Sequence, residues 1–262
     1  MHLPESVTAL PRWIEVFRPS LTTPTFHKLR LLSLAWLLVP GKHLITAALV
    51  VSGLAGKRHH SAFYRIFSSG TWEPDALGKR MLLKLVETFV PLGTVVHLIV
   101  DDTLARHKGK EIFGIACHID PVLSSKSYKV KAFGHVWVIL AIRLKFPFSP
   151  RFFALPFLFR LYRTLPDCEA DGDDFFTKPQ LAAQMLTLAL SWLAQREVSV
   201  AADELYCCKD IIQPLPKNVV FTGRMRKNAA LTAAAESPVK QIGRPRKKGE
   251  RLPSLAEIYA DD

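Results

Sequence analysis

The stretch that most constrains the fold is an apolar run that ends in two adjacent carboxylates. Residues 95–100 are apolar except for His97, which is typical of a strand buried on both faces. Asp101 and Asp102 follow directly. Carboxylates at the end of a buried strand cost desolvation energy unless a positive group offsets it. A divalent metal that prefers hard oxygen ligands, Mg²⁺ or Mn²⁺, would do so. The alternative is a strand that ends in an Asp-rich turn.

The charge of the chain indicates an anionic partner. The 262 residues are 49% hydrophobic and carry a net charge of +12, which favours binding to nucleic acid or, as an alternative, to an anionic membrane surface. The apolar runs at 29–39 and 44–51 are shorter than the roughly 20 residues of a membrane-spanning helix, so we expect no membrane insertion. Four cysteines without metal-binding spacing, and no signal peptide, predict a reduced, cytoplasmic environment.

The first 90 residues read as a helical domain. Apolar helices are predicted at 24–39, 44–54 and 75–89, with a short amphipathic segment at 61–67. A basic turn that contains Arg58 precedes this segment, and a bundle of this kind could place one helix on DNA. The alternative is a plain helical bundle with a solvated basic face.

From residue 91 the pattern changes to an α/β domain that extends to about 235. Three strands in quick succession predict an antiparallel meander, a long irregular connection follows, and a helix and two further strands complete the domain. The helix begins with a capping box of Thr177 and Gln180. The predicted strands are 95–100, 111–118, 135–143, 198–202 and 219–221, the irregular connection is 144–176 and the helix is 177–196.

The fourth predicted strand also ends in a carboxylate, Asp203. If the first and fourth strands are neighbours, Asp203 meets the Asp101–Asp102 pair at one edge of the sheet. Carboxylates placed in this way can hold two divalent ions for in-line attack on a phosphodiester. Such chemistry also needs basic residues around the site, because phosphate neutralisation supplies much of the affinity for DNA.

At these residues the sequence resembles the insertion-sequence transposases of the DDE superfamily, whose catalytic core is ribonuclease-H-like. The resemblance covers residues 20–258. It is carried by the order and spacing of six stretches: IVDDT (99–103), a GK-x-IFG-x-x-x-H block that ends at 118, GHVWV (134–138), ADELY (202–206), F-x-GRMRKNAAL (221–231) and GRPRKKGERLP (243–253).

The resemblance implies a ribonuclease-H-like mixed sheet, three antiparallel strands followed by helix–strand units, behind a small helical domain. It implies Asp102 as the first catalytic carboxylate, with Asp101 as the fallback, and Asp203 as the second. It also implies double-stranded DNA, the transposon ends, as partner, Mg²⁺ or Mn²⁺ as cofactor and a nucleoid-associated location. The residues expected to contact DNA are Arg58, Arg106, Lys108, Lys110, Arg224, Arg226 and Lys227. An exposed structural arginine is the alternative for Arg224.

The sequence departs from the family at the third carboxylate, a Glu on a helix downstream of the second Asp. No counterpart is evident, and Glu257 is not expected to fill the role. Residues 236–262 read as a basic linker or the start of an insertion, so we expect a truncated transposase with an incomplete core and feeble activity alone. The alternatives are a non-catalytic DNA-binding or inhibitory fragment, with a homo-oligomer or full-length transposase as partner, and a membrane-associated protein.

Overall fold

The computed structural model describes residues 11–109, 112–125, 127–225, 229–235 and 248–259. Within these ranges the chain forms a helical N-terminal part and a mixed sheet with helices. The helices are α1 Thr23–Trp36, α2 Ile45–Val51, α3 Ser61–Ser68, α4 Pro74–Phe89, α5 Leu165–Asp171, α6 Lys178–Trp192, α7 Lys209–Ile212 and α8 Leu255–Ile258. The strands are β1 Val96–Arg106, β2 Ala116–Ile119, β3 Lys131–Lys145, β4 Phe152–Tyr162, β5 Val198–Ala202 and β6 Val220–Gly223. Short 3₁₀ turns occupy Glu15–Ser20 and Glu204–Tyr206.

The sheet is built around β1, which pairs antiparallel with β3 on one side and parallel with β5 on the other. β3 pairs antiparallel with β4 and, at its N-terminal end, with β2, while β6 lies parallel beyond β5. The strand order is therefore β2-β3-β1-β5-β6, with β4 beside β3. This is the mixed α/β arrangement of a ribonuclease-H-like fold, and the predicted fold class is confirmed.

Helix α6 covers one face of this sheet. The predicted capping box is present: Thr177 Oγ1 accepts from the N–H of Gln180, and Gln180 returns the bond to the N–H of Thr177. Leu181 and Met185 of this helix pack with buried sheet residues such as Leu98 and Leu140. Because apolar side chains recur along α6 at helical spacing, its buried stripe and the alternating side chains of β1 form one core.

The N-terminal helices build a second, smaller core. Its buried residues are Leu32, Ala35, Val39, Ile45, Ala48, Leu49, Phe63 and Ile66. In contrast, Leu82, Leu85 and Val86 of α4 belong to the core of the sheet. Asp75 at the start of α4 also receives two hydrogen bonds from the guanidinium of Arg160 on β4, at 2.8 and 2.7 Å. The division of the chain at residue 90 stays a prediction.

The prediction of an irregular connection over 144–176 is wrong. Within this segment, Phe152–Tyr162 form the strand β4, and the helix α5 follows it. The prolines of this segment argue against a strand in the sequence. In the structure, Pro156 pairs with Ala141 where the register shifts at a β-bulge, and β4 is an edge strand, in which a missing N–H is tolerated. In the acidic segment after β4, Arg163 forms ion pairs with Asp171 and Asp173.

The other predicted elements differ from the structure mainly in length. β1 continues six residues past the apolar run, and β3 spans Lys131–Lys145. Of the strand predicted at 111–118, only Ala116–Ile119 is a strand; residues 112–115 form a turn, and residue 111 lies outside the described residues. Among the described residues, no helix combines the length and the apolar character that crossing a bilayer requires.

Candidate active site

The two faces of β1 have different surroundings. Val96, Leu98 and Val100 are buried beneath α6, whereas the residues between them point to the opposite, more open face. Because side chains alternate along a strand, Asp102 continues the covered face and Asp101 the open one. The adjacent carboxylates therefore lie on opposite sides of the sheet.

The parallel pairing of β1 with β5 brings the third aspartate to this point. Val100 pairs with Ala202, so Asp203 follows β5 where Asp101 follows the buried part of β1. Asp203 keeps an extended backbone (φ −76°, ψ 173°), and alternation places it on the open face with Asp101. The predicted proximity of the first and fourth predicted strands is thus present in the sheet.

Asp102 is held by two side chains from other elements. Lys178, the first residue of α6, donates from Nζ to Asp102 Oδ2 at 2.7 Å, and Tyr206 donates from its hydroxyl to Asp102 Oδ1 at 2.9 Å. Tyr206 is only 1% exposed. Its pKa is raised, chiefly by burial and then by the charge of Asp102, so the hydroxyl keeps its proton and acts as a donor. Each oxygen of Asp102 therefore has a donor.

Asp101 lies in a different electrostatic environment. Its Oδ1 accepts from the backbone N–H of Asp102 at 2.8 Å, which favours the ionised form. Even so, desolvation raises the pKa of Asp101, and the charges of Asp102 and Asp203 raise it further. The open face thus concentrates negative charge. A divalent cation would offset that charge, and carboxylate oxygens are the hard ligands that Mg²⁺ and Mn²⁺ prefer. Asp101 and Asp203 offer ligands of this type on the open face.

Few of the described carboxylates are available to hold a metal ion at this site. Within the described parts of the chain, no group of three or more His, Cys, Asp or Glu side chains has an arrangement that could hold a metal. Glu257 belongs to a capping box at α8, where its Oε2 accepts from the N–H of Ser254 at 2.6 Å, and this bond lowers its pKa. Its local role is that of a helix cap.

Predicted DNA-contacting residues lie on several parts of the surface. Arg58, Lys108 and Arg224 are exposed, and the backbone N–H of Arg224 donates to Ala202 O at 3.4 Å. Arg106, at the end of β1, forms an ion pair with Asp120, which lowers the pKa of that buried carboxyl. Three further predicted contacts, Lys110, Arg226 and Lys227, lie outside the described residues.

His118 is a neighbour of this site on the covered face. It pairs with Ala132 of β3, and its ring lies 6.1 Å from that of Tyr162. Burial lowers the pKa of His118, and the nearby charge of Lys178 lowers it further. A neutral imidazole at physiological pH is the expected state.

Sequence reasoning missed the two residues that hold Asp102. Lys178 was treated only as part of a helix start, and Tyr206 appeared only inside the ADELY stretch. The signal that could have found Tyr206 is its spacing from Asp203: a tyrosine one short turn after a strand-end carboxylate is placed to reach back to the neighbouring strand. No local pattern marks Lys178, because its partner lies 76 positions away.

A comparison with known families identifies the family of this chain. A family model described as DDE superfamily endonuclease matches residues 16–260. The chain belongs to this family. As a DDE superfamily endonuclease, it is a member of a group that generally uses divalent metals and acts on DNA. A search of curated proteins found no match.

Proposed function

We propose that this DDE superfamily endonuclease is a transposase that cleaves and joins phosphodiesters at the ends of a DNA element. The observation that carries the proposal is the parallel pairing of β1 with β5, which sets Asp203 beside the Asp101–Asp102 pair. The mutual effect of these carboxylates on the pKa of Asp101 supports their proximity.

The carboxylates have the chemistry that phosphoryl transfer needs. Asp203 and a member of the Asp101–Asp102 pair would hold Mg²⁺ or Mn²⁺ at the edge of the sheet. When bound, such ions activate a water or a 3′-hydroxyl and stabilise the leaving oxygen. The residues of the chain position the cations, and the exposed side of the sheet leaves room for the DNA backbone.

Basic residues would hold the DNA around this edge. Arg224 directly follows β6 and lies level with Asp203, because Gly223 pairs with Ala202, and Lys108 lies two residues beyond the end of β1. Double-stranded DNA is the proposed partner, and the net charge of +12 supports a large electrostatic contribution to binding. Full-length transposase, or a second copy of the chain, is proposed as a further partner.

The test is a supercoiled-plasmid nicking assay with Mn²⁺. We expect slow nicking by the chain alone, because no glutamate joins the aspartates in a metal-holding group among the described residues. Asp203→Asn should abolish the nicking, since it removes a ligand from the site. Asp210→Asn, an exposed carboxylate on α7, is the matched control and should nick at the wild-type rate.

Two outcomes would contradict the catalytic proposal. If Asp203→Asn nicked as well as the wild type, the activity would come from another site or a contaminant. If the wild type bound element-end DNA but did not nick at all, even over long incubation, the observation would favour the non-catalytic DNA-binding or inhibitory alternative.

DNA binding has its own measurement. Affinity for a duplex, measured by fluorescence anisotropy, should fall steeply as salt rises from about 50 to 200 mM, because bound phosphates release counterions. An affinity that changed little over this range would rule out a phosphate-dominated interface.

A further inference from the structure

The two adjacent aspartates in the middle of β1 have different partners. Asp102 receives a hydrogen bond on each carboxylate oxygen, from the ammonium of Lys178 and from the hydroxyl of Tyr206. For Asp101, the hydrogen bond in the structure comes from the backbone N–H of its neighbour. The charge of Asp102 is offset by a cationic side chain, whereas Asp101 lies near the charge of Asp203.

The contacts of Asp102 reach both elements that complete the site. Lys178 opens α6, whose capping box fixes the first turn of that helix. The lysine is 26% exposed and Asp102 is 23% exposed, so their ion pair is partly shielded from solvent. Ion pairs that are shielded and hydrogen-bonded constrain geometry more than fully exposed pairs do.

Tyr206 links Asp102 to the second carboxylate. The backbone N–H of Tyr206 donates to the carbonyl oxygen of Asp203 at 3.0 Å, which closes the 3₁₀ turn after β5. The ring of Tyr206 is buried in the core of the sheet, so its hydroxyl has one well-defined position. A displacement of this ring would move the turn and, with it, Asp203.

We propose that Asp102 is a positioning residue rather than a cation ligand: through Tyr206 and Lys178 it fixes the turn that carries Asp203, and Asp101 and Asp203 form the cation-binding pair on the open face. This inference rests on the proposed metal-dependent function and assigns its residues different roles. Tyr206 and Lys178 become part of the site although neither would touch the cation.

The test measures Mn²⁺ binding by electron paramagnetic resonance on the full chain, without any reference to activity. Asp101→Asn and Asp203→Asn should each weaken Mn²⁺ binding at least about tenfold, because each removes a ligand. If neither variant changes binding, the proposed metal site itself fails, and that result is distinct from a failure of the positioning role.

Asp102 needs a charge-matched variant. Asp102→Asn alone would leave the charge of Lys178 beside the site and weaken Mn²⁺ binding through electrostatics. The double variant Asp102→Asn with Lys178→Met removes one charge of each sign. We expect it to weaken Mn²⁺ binding by about three- to fivefold, less than Asp101→Asn does, because charge and ligand number are preserved while the contacts that position the turn of Asp203 are weakened. A loss as large as that of Asp101→Asn would show that Asp102 is a ligand and would overturn the assignment.

Tyr206→Phe tests the link to Asp203 without any change of charge. It should weaken Mn²⁺ binding about three- to tenfold while the fold, monitored by circular dichroism, is kept. Tyr128→Phe, which removes a hydroxyl from an exposed tyrosine, is the control and should bind as the wild type does. Wild-type Mn²⁺ affinity in Tyr206→Phe would contradict the positioning role.

Lys178→Arg completes the series, because an arginine can keep the ion pair with Asp102. It should retain Mn²⁺ affinity closer to the wild type than Lys178→Met does. If Lys178→Arg and Lys178→Met bound Mn²⁺ equally, the ion pair would have no part in positioning.

Discussion

The two faces of the central sheet contrast most sharply along β1. On the covered face, Val96, Leu98 and Val100 are at most 1% exposed and pack beneath α6, and the first polar residue on that face, Asp102, has a partner on each oxygen. On the open face, His97 and Asp101 are exposed. One face provides stability, and the other carries the neighbouring charges of Asp101 and Asp203.

The open face of the sheet also borders a cleft. A cleft of about 720 Å³ lies between the N-terminal helices and this side of the sheet. Thr103 of β1 and Trp137 of β3, which pair across the two strands, line it together with Trp72. Since Thr103 and Asp101 share a face, the cleft and the proposed cation pair belong to the same side of the sheet. Because its side chains alternate, one strand can thus contribute to the hydrophobic core on one face and to a functional site on the other.

The largest effect should come from the covered face. Leu98→Ala removes a fully buried side chain from the core, and we expect a loss of about 2–5 kcal/mol in the free energy of unfolding. Ile99→Ala, on the open face and only half-buried, should cost less than half as much. Urea denaturation of both variants measures the difference; equal losses would mean that the open face is as well packed as the covered one.

The adjacent aspartates should respond in opposite directions. Asp102→Asn weakens the ion pair with Lys178 and the bond from Tyr206, and should reduce the free energy of unfolding by about 1–2 kcal/mol. Asp101→Asn removes a charge that burial and two neighbouring carboxylates disfavour, so it should raise the melting temperature. If both variants destabilised the folded chain to the same extent in metal-free buffer, the two faces would not differ in the way described.

The capping box at the start of α6 can be disrupted without replacing any residue of the proposed site. Thr177→Ala removes the side-chain oxygen of the capping box and should cost about 1 kcal/mol of unfolding free energy. Thr187→Ala on the exposed side of the same helix is the matched control and should cost less than Thr177→Ala. Chemical denaturation checks the pair, and a larger loss at Thr187 would contradict the capping role.

The smallest effect is a pH dependence that comes from Asp101. Its pKa in the folded chain is raised above the ordinary value of about 3.9. Between these two values the folded state binds more protons than the unfolded state, so this group lowers stability as pH rises through the window. The stability advantage of Asp101→Asn should therefore be present at pH 7 and shrink as pH falls towards 4. Melting temperatures of the variant and the wild type, followed from pH 7 to 4, measure it; an advantage that grew on acidification would be inconsistent with a raised pKa.

The sequence predicted the elements that have strong local signals. The apolar run before Asp101, the capping box at Thr177 and the strand at Val198–Ala202 are present where periodicity and capping chemistry indicated them. The sequence does not predict β4, because its proline and consecutive aromatics match no strand pattern. Only its pairing with β3, and a bulge that accommodates Pro156, makes that segment a strand.

The sequence likewise predicted one part of the candidate site and not another. The resemblance and the order of the elements predicted that the strand carrying Asp101 lies beside the strand that precedes Asp203, and the structure has this pairing. The different surroundings of Asp101 and Asp102 did not follow, because alternation says that they face opposite ways but not which face a helix will cover.

By itself, the sequence determined where the apolar run of β1 is followed by Asp101 and Asp102 and that Asp203 follows β5, because hydrophobic periodicity and strand propensity are local properties of the chain. Only the tertiary structure decided what those residues do to one another. The packing of α6 on one face brings Lys178 and Tyr206 to Asp102 and leaves Asp101 with Asp203 on the other face. Contacts between groups 76 and 104 positions apart depend on how elements pack in space, and no local pattern encodes them.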